Sequence, residues 1–233
     1  MRAHTLPSSF EKTKTTLFHY PSQRKTRNAV FIFKGLYGEH LPSGRSWDNE
    51  LVRLLKKDHH VFLVRTGRRD VVDKQEQFTG KTFKQECEDV ARAFTFARAN
   101  LMPQGARVYG VALSFGGTTL LGCSSVLGSM ETVVCIGSGC GRSTETKKPL
   151  LSTLPDTPQL LAAMERFRSA LVFIHGGLDA VVPLESQKKI FAGARRAKMR
   201  TWIEYSRLGH ELEDATGSHL AVIANRHLRA FSS

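Results

Sequence analysis

Residues 106–121 read Ala-Arg-Val-Tyr-Gly-Val-Ala-Leu-Ser-Phe-Gly-Gly-Thr-Thr-Leu-Leu, and their character changes at Ser114. An apolar run with β-branched residues leads to this serine, and a helical pattern follows it. Ala112 and Gly116 are small, as they must be where the backbones of a strand and a helix approach closely at a sharp turn. The stretch therefore predicts a strand, a tight corner and a helix, with the Ser114 side chain presented at the corner as a candidate nucleophile.

This pattern resembles the nucleophile elbow of the α/β-hydrolase superfamily, Gly-x-Ser-x-Gly, with Ala112 in place of the first glycine. The resemblance implies that Ser114 attacks a carbonyl carbon. It also implies that the backbone N–H of Phe115, the next residue, helps to bind the resulting oxyanion. Small residues around a serine also occur at ordinary helix starts, so the rest of the chain has to supply an acid, a base and a second oxyanion donor.

The candidate acid lies in residues 171–183, Leu-Val-Phe-Ile-His-Gly-Gly-Leu-Asp-Ala-Val-Val-Pro. This stretch resembles the His-Gly-x-x-Asp-x-x-Val-Pro segment that follows the penultimate strand in the superfamily. The resemblance implies Asp179 as the acid of a catalytic triad, whereas an aspartate after a strand is otherwise a cap or turn former. His175 competes as a base, but its place at the end of a strand favours a structural role.

The candidate base is His210 in Tyr-Ser-Arg-Leu-Gly-His-Glu, residues 205–211, which resembles the Gly-His loop after the last strand of the superfamily. The order Ser114, Asp179, His210 is the order that the superfamily uses. The remaining histidines fall at termini, strand edges and helix surfaces, where we expect solvated or capping roles: His4, His19, His40, His59, His60, His219 and His227.

A second oxyanion donor is expected in Lys-Gly-Leu-Tyr-Gly, residues 34–38, after a predicted strand. Here the superfamily carries a His-Gly-x loop, and Lys34 replaces the histidine. By resemblance, the backbone N–H of Leu36 faces the substrate carbonyl oxygen, and a backbone donor does not depend on its side chain. A plain glycine turn is the alternative.

Apolar strands alternate with amphipathic helices along the chain, which is typical of a mainly parallel sheet covered on both faces. We expect an α/β-hydrolase fold with an N-terminal strand hairpin, in a single domain spanning 1–233. The hairpin pairs residues 15–20 with 28–33. Further strands are predicted at 60–65, 108–113, 132–137, 170–175 and 200–206, and helices at 46–57, 82–100, 115–126, 157–168, 184–198 and 217–231.

The connection from residue 138 to residue 169 predicts a minimal or absent cap over the site. Its first part, 138–156, is polar and contains glycine and proline, and 157–168 is needed as the crossover helix. We therefore expect an open, shallow site that prefers short acyl groups. If long acyl chains were preferred, residues 71–81 would be the segment to build the missing cover.

Composition limits the other function classes. The 233 residues are 41% hydrophobic and 24% charged, as in soluble globular proteins, and no apolar run approaches the roughly 20 residues that span a bilayer. The cysteines, at 87, 123, 135 and 140, form no Cys-x-x-Cys pair, so we expect reduced thiols in a cytoplasmic protein and no metal site.

The formal net charge of +13 is the one compositional outlier. The Lys and Arg residues are scattered, with local concentrations at 65–69, 188–189 and 195–200, and aromatic residues do not alternate with them. We therefore expect a solvated basic surface and no nucleic-acid partner.

The resemblance implies a serine hydrolase that cleaves small soluble carboxylic esters through an acyl-enzyme, with no cofactor. Thioesterase, acyltransferase and peptidase activities on the same fold remain open. So does a catalytically idle fold that binds an acidic partner or nucleic acid through its basic face. The sequence does not predict an oligomeric state.

Overall fold

Strands and helices alternate through the residues that the computed structural model describes, which are 1–11, 13–36, 46–72, 75–139, 148–210, 212 and 218–230. The strands are β1 (Arg2–Pro7), β2 (Lys14–Tyr20), β3 (Asn28–Phe33), β4 (His60–Arg65), β5 (Arg69–Val72), β6 (Gln75–Phe78), β7 (Arg107–Leu113), β8 (Thr132–Ile136), β9 (Ala170–Gly176) and β10 (Met199–Tyr205). The helices are α1 (Trp47–Leu55), α2 (Phe83–Asn100), α3 (Phe115–Gly122), α4 (Ser124–Leu127), α5 (Pro149–Ser152), α6 (Thr157–Glu165), α7 (Leu184–Gly193) and α8 (Ser218–Ala230).

Eight strands form one sheet in the order β1-β2-β4-β3-β7-β8-β9-β10. From β4 to β10 all neighbours in this order pair in parallel, whereas β2 is antiparallel to both β1 and β4. The carboxyl ends of parallel strands meet at one edge of the sheet. The turns that follow β3, β7, β8, β9 and β10 therefore lie near one another, as expected for the candidate site.

Two apolar layers cover the sheet. Helices α1 and α8 bury Leu51, Leu55 and Ala224 against one face. Helices α2, α3, α6 and α7 cover the other face. Successive strand residues point to opposite faces, so Val30 joins the first layer and Phe31 the second, both fully buried. This two-sided burial explains why the central strands are continuous apolar runs.

The N-terminal hairpin is present, but its predicted partner strand is wrong. β2 pairs with β1 through residues such as Thr5 and Thr16, and β4 lies between β2 and β3. Residues 15–20 and 28–33 are therefore not neighbours. Adjacent strands in the sequence suggested the wrong pair, because β4 supplies an apolar strand that pairs with both.

The helices differ from the predictions mainly at their ends. The helix after Ser114 breaks at Cys123 into α3 and α4, and α7 ends at Gly193 rather than at residue 198. An antiparallel ribbon of β5 and β6 was not predicted. In the described parts of the 137–156 connection α5 is the one helix, in agreement with a minimal cap, and residues 140–147 lie outside the described chain.

Within the described ranges, every helix is too short or too polar to cross a membrane.

Candidate active site

The corner after β7 holds Ser114 in a backbone conformation that residues other than glycine rarely adopt. Its φ is 51° and its ψ is −122°, and a residue in such a sparsely populated region costs about 1–3 kcal/mol. The Ser114 N–H donates to the carbonyl of Ile136, at 2.8 Å, which fixes the corner to β8. A Cβ at Gly116 would lie 2.3 Å from the Phe33 carbonyl oxygen, so glycine is required there. This is the predicted sharp corner, and it pushes Ser114 out of the sheet.

A hydrogen-bonded series connects the three predicted residues. Ser114 Oγ lies 2.8 Å from His210 Nε2, and His210 Nδ1 lies 2.9 Å from Asp179 Oδ2. The Asp179 side chain is fully buried, and 11% of the His210 side chain is exposed. The fold thus brings together residues that are 31 and 96 positions apart. This is the geometry that a nucleophile, a base and an orienting acid require.

The Asp179 carboxylate is held by its own turn. Its Oδ1 accepts hydrogen bonds from the backbone N–H groups of Val181 and Val182, at 2.8 and 2.9 Å, while Oδ2 faces His210. Both oxygens are therefore occupied, and the carboxylate cannot rotate away from the imidazole without losing these bonds. The Asp-Ala-Val-Val sequence supplies these two donors directly.

Glycines at the carboxyl ends of β8 and β9 leave room for the loop that carries His210. A Cβ at Gly176, the last residue of β9, would lie 2.0 Å from the Gly209 carbonyl oxygen. A Cβ at Gly137, which has a φ of +52°, would lie 2.9 Å from the His210 carbonyl oxygen and 3.2 Å from Nδ1. Gly137 is a site residue that the sequence analysis did not single out.

The loop after β3 runs beside Ser114. A Cβ at Gly35 would lie 3.6 Å from the Ser114 Cβ. Among the described residues, the backbone N–H groups of Leu36 and Phe115 have no hydrogen-bond acceptor. Phe115 is the first residue of α3, where the N–H groups of a helix are free to bind an anion. Lys34 is tied to α1 by an ion pair with the buried Asp48, at 3.3 Å, so the lysine that replaces the family histidine anchors the loop.

Solved structures share this fold. Est1E from Butyrivibrio proteoclasticus has a TM-score of 0.68 at 10% identity, with 98% of each chain covered. The esterase domain of a Rhodothermus marinus protein has a TM-score of 0.66 at 16% identity, covering 100% of this chain and 99% of that one. Acylaminoacyl peptidase from Pyrococcus horikoshii has a TM-score of 0.70 at 14% identity, covering 99% of this chain and 41% of that one. The chain has the α/β-hydrolase fold.

The α/β-hydrolase fold inferred from the three motifs is thereby confirmed. No protein-family model matches the sequence, and no curated protein matches it either. The similarity therefore lies in structure rather than in sequence, and one fold carries both esterases and a peptidase.

Within this α/β-hydrolase fold, Arg68 holds the loop after β3, which carries the Leu36 N–H and which we call the candidate oxyanion loop. Arg68 was not among the site residues predicted from the sequence. One guanidinium nitrogen donates to the carbonyls of Gly35 and, at 3.4 Å, Lys34. The other donates to Glu86 at 3.0 Å, and the guanidinium carbon lies 4.9 Å from the centre of the Phe115 ring. Arg68 thus contacts both segments that carry the candidate oxyanion donors. Its only sequence signal was membership of a basic cluster.

A buried ion network supports Arg68 from behind. Glu86 is fully buried and also accepts from the Thr66 hydroxyl at 2.8 Å and faces Lys81 at 3.3 Å. Lys81 is itself buried and binds Asp89, which accepts from the Ser8 hydroxyl at 2.5 Å. Burial alone would raise the pKa of Asp89, but the hydrogen bonds from Lys81 and Ser8 outweigh it and the pKa is lowered. Asp89 therefore stays charged, and the network connects the β1–β2 turn to the candidate oxyanion loop.

A small apolar cluster lies beside Ser114 in the candidate site. Phe115, Leu150 and Leu154 are buried in it, and Leu36 and Phe78 pack against it. Phe78 is the last residue of β6, so the ribbon in segment 71–81 contributes to this wall. The apolar cluster thus begins at the residue that follows Ser114 in the chain.

Among the histidine side chains that the structure describes, His210 alone is hydrogen-bonded to Ser114. His40 and the side chain of His219 lie outside the described part of the protein. His175 is buried, and Gln187 Nε2 donates to its Nδ1 at 3.0 Å, in agreement with a structural role. The expectation of solvated roles is wrong for His19 and His59, which are 5% and 2% exposed. Burial, and then the charge of His60, lowers the pKa of His19 to about 4. The His19 ring stacks on the Phe62 ring, with 4.6 Å between the ring centres, and this contact explains why His19 is buried.

Proposed function

We propose that this protein is a serine hydrolase that cleaves carboxylic esters through an acyl-enzyme. The observation that carries the proposal is the hydrogen-bonded series from Ser114 through His210 to Asp179, at 2.8 and 2.9 Å, on a strained corner. A strained backbone and a buried carboxylate persist where the surrounding structure enforces them, and such sites are concentrated at active centres.

In the proposed acylation step, His210 Nε2 takes the Ser114 hydroxyl proton as Oγ attacks the ester carbonyl carbon. Asp179 accepts the Nδ1–H hydrogen bond, which fixes the tautomer and stabilises the imidazolium. The Leu36 and Phe115 N–H groups donate to the oxyanion. The intermediate collapses when the carbon–oxygen bond to the alcohol breaks, and His210 returns its proton to the departing alcohol.

Deacylation repeats these steps with water as the nucleophile. His210 takes a proton from the water as its oxygen attacks the acyl-Ser114 carbonyl, and it then returns the proton to Ser114 Oγ. The products are the carboxylic acid and the free enzyme, and the sum of both steps is hydrolysis of one ester bond. No group beyond the named residues and water takes part in the proposal.

Short acyl groups fit the proposed site best. The apolar cluster around Phe115 is small, and the described parts of the 137–156 connection contribute the four residues of α5 in place of a two-helix lid. One of the structurally similar proteins is described as an esterase domain, which supports ester substrates. Thioesters, amides and acyl transfer use the same triad chemistry, so the acyl donor has to be tested directly.

The first experiment is labelling by a fluorophosphonate probe, which reacts with an activated serine. Wild type should be labelled at Ser114, and Ser114→Ala should not be labelled. Ser124→Ala is the matched control, because Ser124 is exposed at the start of α4 and labelling should be unchanged. Labelling that persists in a folded Ser114→Ala variant would show that the nucleophile lies elsewhere.

The second experiment compares turnover of nitrophenyl esters, acyl thioesters and acyl anilides of equal acyl length. The proposal expects the highest kcat/KM for the esters. Faster cleavage of the anilide would assign the site to a peptidase, and product transfer to an added alcohol in preference to water would assign it to an acyltransferase.

A further inference from the structure

The edge of the sheet opposite Ser114 collects six connections that lead into strands. They are residues 21–27, 56–59, 101–106, 128–131, 166–169 and 194–198, and we call them the basal edge. The strand starts are in register, with Asn28 opposite Arg107, Thr132 opposite Ala170, and Ala170 opposite Met199. Segments that are far apart in the sequence are therefore side by side in the fold.

Most of the excess positive charge lies on this basal edge. Its thirty residues contain ten Lys and Arg and two acids, so they carry +8 of the net charge of +13. The connections that follow the carboxyl ends of the strands, 8–13, 34–46, 66–82, 137–156, 177–183 and 206–217, sum to zero by sequence. The basic residues that seem scattered along the sequence are thus gathered on one side of the sheet.

Ion pairs do not account for this charge, and helix dipoles account for little of it, because Lys56 and Arg166 are the only two of the ten cations that are helix C-caps. The two acids, Asp58 and Glu131, are already paired with Arg229 and Arg107, which are outside the six connections. In the described chain, none of the ten cations has an acidic partner. Cations offset a helix dipole only within the last turn. The last turns of α6 and α7 contain no basic residue, and 21–27 follows a strand.

We propose that the basal edge binds double-stranded nucleic acid through its phosphate backbone. Six of the ten cations are arginines, whose planar guanidinium donates two parallel hydrogen bonds to a phosphate. The six parallel strands span five spacings of about 4.8 Å, which is about 24 Å or about seven base pairs of duplex. Contacts of this kind bind without regard to base sequence.

A duplex fits this face better than a single strand or a lipid surface. Single-strand binding uses exposed aromatic side chains as stacking platforms. In the described residues the exposed large hydrophobic side chains include no Phe, Tyr or Trp. Membrane-surface binding combines basic residues with inserted Trp, Phe or Leu. At the starts of these six strands, Met199 is the one exposed large hydrophobic residue, at 36%.

The basal edge and the candidate active site lie at opposite ends of the strands. A bound duplex therefore leaves Ser114 accessible, and binding does not depend on the proposed hydrolase function. The Ser114→Ala variant should bind the duplex as wild type does, so failure of one proposal leaves the other standing.

The test is fluorescence anisotropy of a labelled DNA duplex of about 20 base pairs, titrated with the full chain between about 50 and 200 mM KCl. The test variant combines Arg195→Glu, Arg196→Glu and Lys198→Glu. The control combines Lys84→Glu, Lys188→Glu and Lys189→Glu, which changes the net charge equally on exposed helix flanks. With about four phosphates neutralised, the logarithmic salt slope should be about −4 for wild type.

The basal-edge variant should bind at least about tenfold more weakly, with a salt slope reduced by about 3 because three phosphate contacts are lost. The control should stay within about threefold of wild type, because separated surface charges are screened at these salt concentrations. Circular dichroism confirms folding of both. The proposal is overturned if wild type does not bind at the lowest salt, or if both variants weaken equally. It is also overturned if phosphatidylserine vesicles bind the basal edge and the duplex does not compete.

Discussion

Replacing Arg68 should damage catalysis more than it damages folding. In Arg68→Ala the carbonyls of Gly35 and Lys34 lose their guanidinium donor, and the Phe115 ring loses the cation above it. The loop that carries the Leu36 N–H is then held by the Lys34–Asp48 ion pair alone among these contacts. We expect the N–H to stray from the position where the oxyanion forms.

The size of the effect has an upper limit. Complete loss of one oxyanion donor lowers kcat by about 10²–10³. Because one anchor of the loop remains, we expect kcat to fall by about 10–10² while KM stays within about threefold. Glu86 loses one partner but keeps Thr66 and Lys81, so the stability loss should be about 1–3 kcal/mol, below that of a completely unpaired buried charge.

Steady-state hydrolysis of nitrophenyl acetate measures kcat and KM, and circular dichroism at the assay temperature confirms folding. Arg98→Ala is the matched control, because its guanidinium lies over the Phe94 ring at 5.9 Å and donates to Ser129, away from the site. Arg68→Lys keeps the charge but has one donor group in place of the fork, so it should recover only part of kcat. If a folded Arg68→Ala enzyme retained kcat within twofold of wild type, Arg68 would have no part in positioning the loop.

Four further predictions address the same molecule. Asp179→Asn should lower kcat by about 10³–10⁴ because the amide favours the wrong His210 tautomer, and a silent substitution in a folded variant would remove Asp179 from the triad. Gly137→Ala should lower kcat at least about tenfold, since its Cβ would lie 3.2 Å from His210 Nδ1, whereas Gly105→Ala, also at positive φ but with open space around it, should cost stability alone. The contribution of His19 to the free energy of unfolding should be complete above pH 6.5 and be lost towards pH 4, with a loss of about 2 kcal/mol at pH 5, because its pKa is about 4 in the folded protein and protonation therefore favours the unfolded state. The His19→Phe variant should show a smaller decrease of Tm between pH 7.5 and pH 5 than wild type. An unchanged decrease would show that His19 is not the group responsible. Nitrophenyl acetate and butyrate should have higher kcat/KM than the palmitate, and a maximum at about twelve carbons or more would mean that the β5–β6 ribbon forms a cover.

The three central site residues could be predicted because each stands in a short stretch whose local chemistry is visible. Ser114 lies between small residues, Asp179 precedes its own backbone donors, and His210 follows a glycine. The interpretation of the whole chain as a single domain and the role of each site residue remain predictions. These stretches could be interpreted from the sequence because the geometry of a turn depends on residues that are neighbours in the chain.

Arg68 could not be predicted for the opposite reason. It donates to carbonyls 33 and 34 positions earlier in the chain, and its partner Glu86 belongs to helix α2. A backbone carbonyl has no sequence signature, so the contact exists only once β4 lies beside β3. The same reasoning explains the wrong hairpin partner and the burial of His19 and His59, which depend on strand order.

The strand order also determines when the chain becomes competent during folding. β3 and β7 pair across a separation of 79 residues, between Asn28 and Arg107, and this pairing brings the candidate oxyanion loop to Ser114. His210, the proposed base, follows β10, which is the last strand in chain order and pairs with β9. His210 therefore reaches Ser114 only after β10 has joined the sheet. Long-range pairing is slow because the chain must close large loops first. A nascent chain that ends before β10 would thus contain the corner at Ser114 but no His210 to take the proton from its hydroxyl. On refolding of the whole chain, the proposed hydrolase activity should be among the last properties to recover, after compaction and most of the secondary structure.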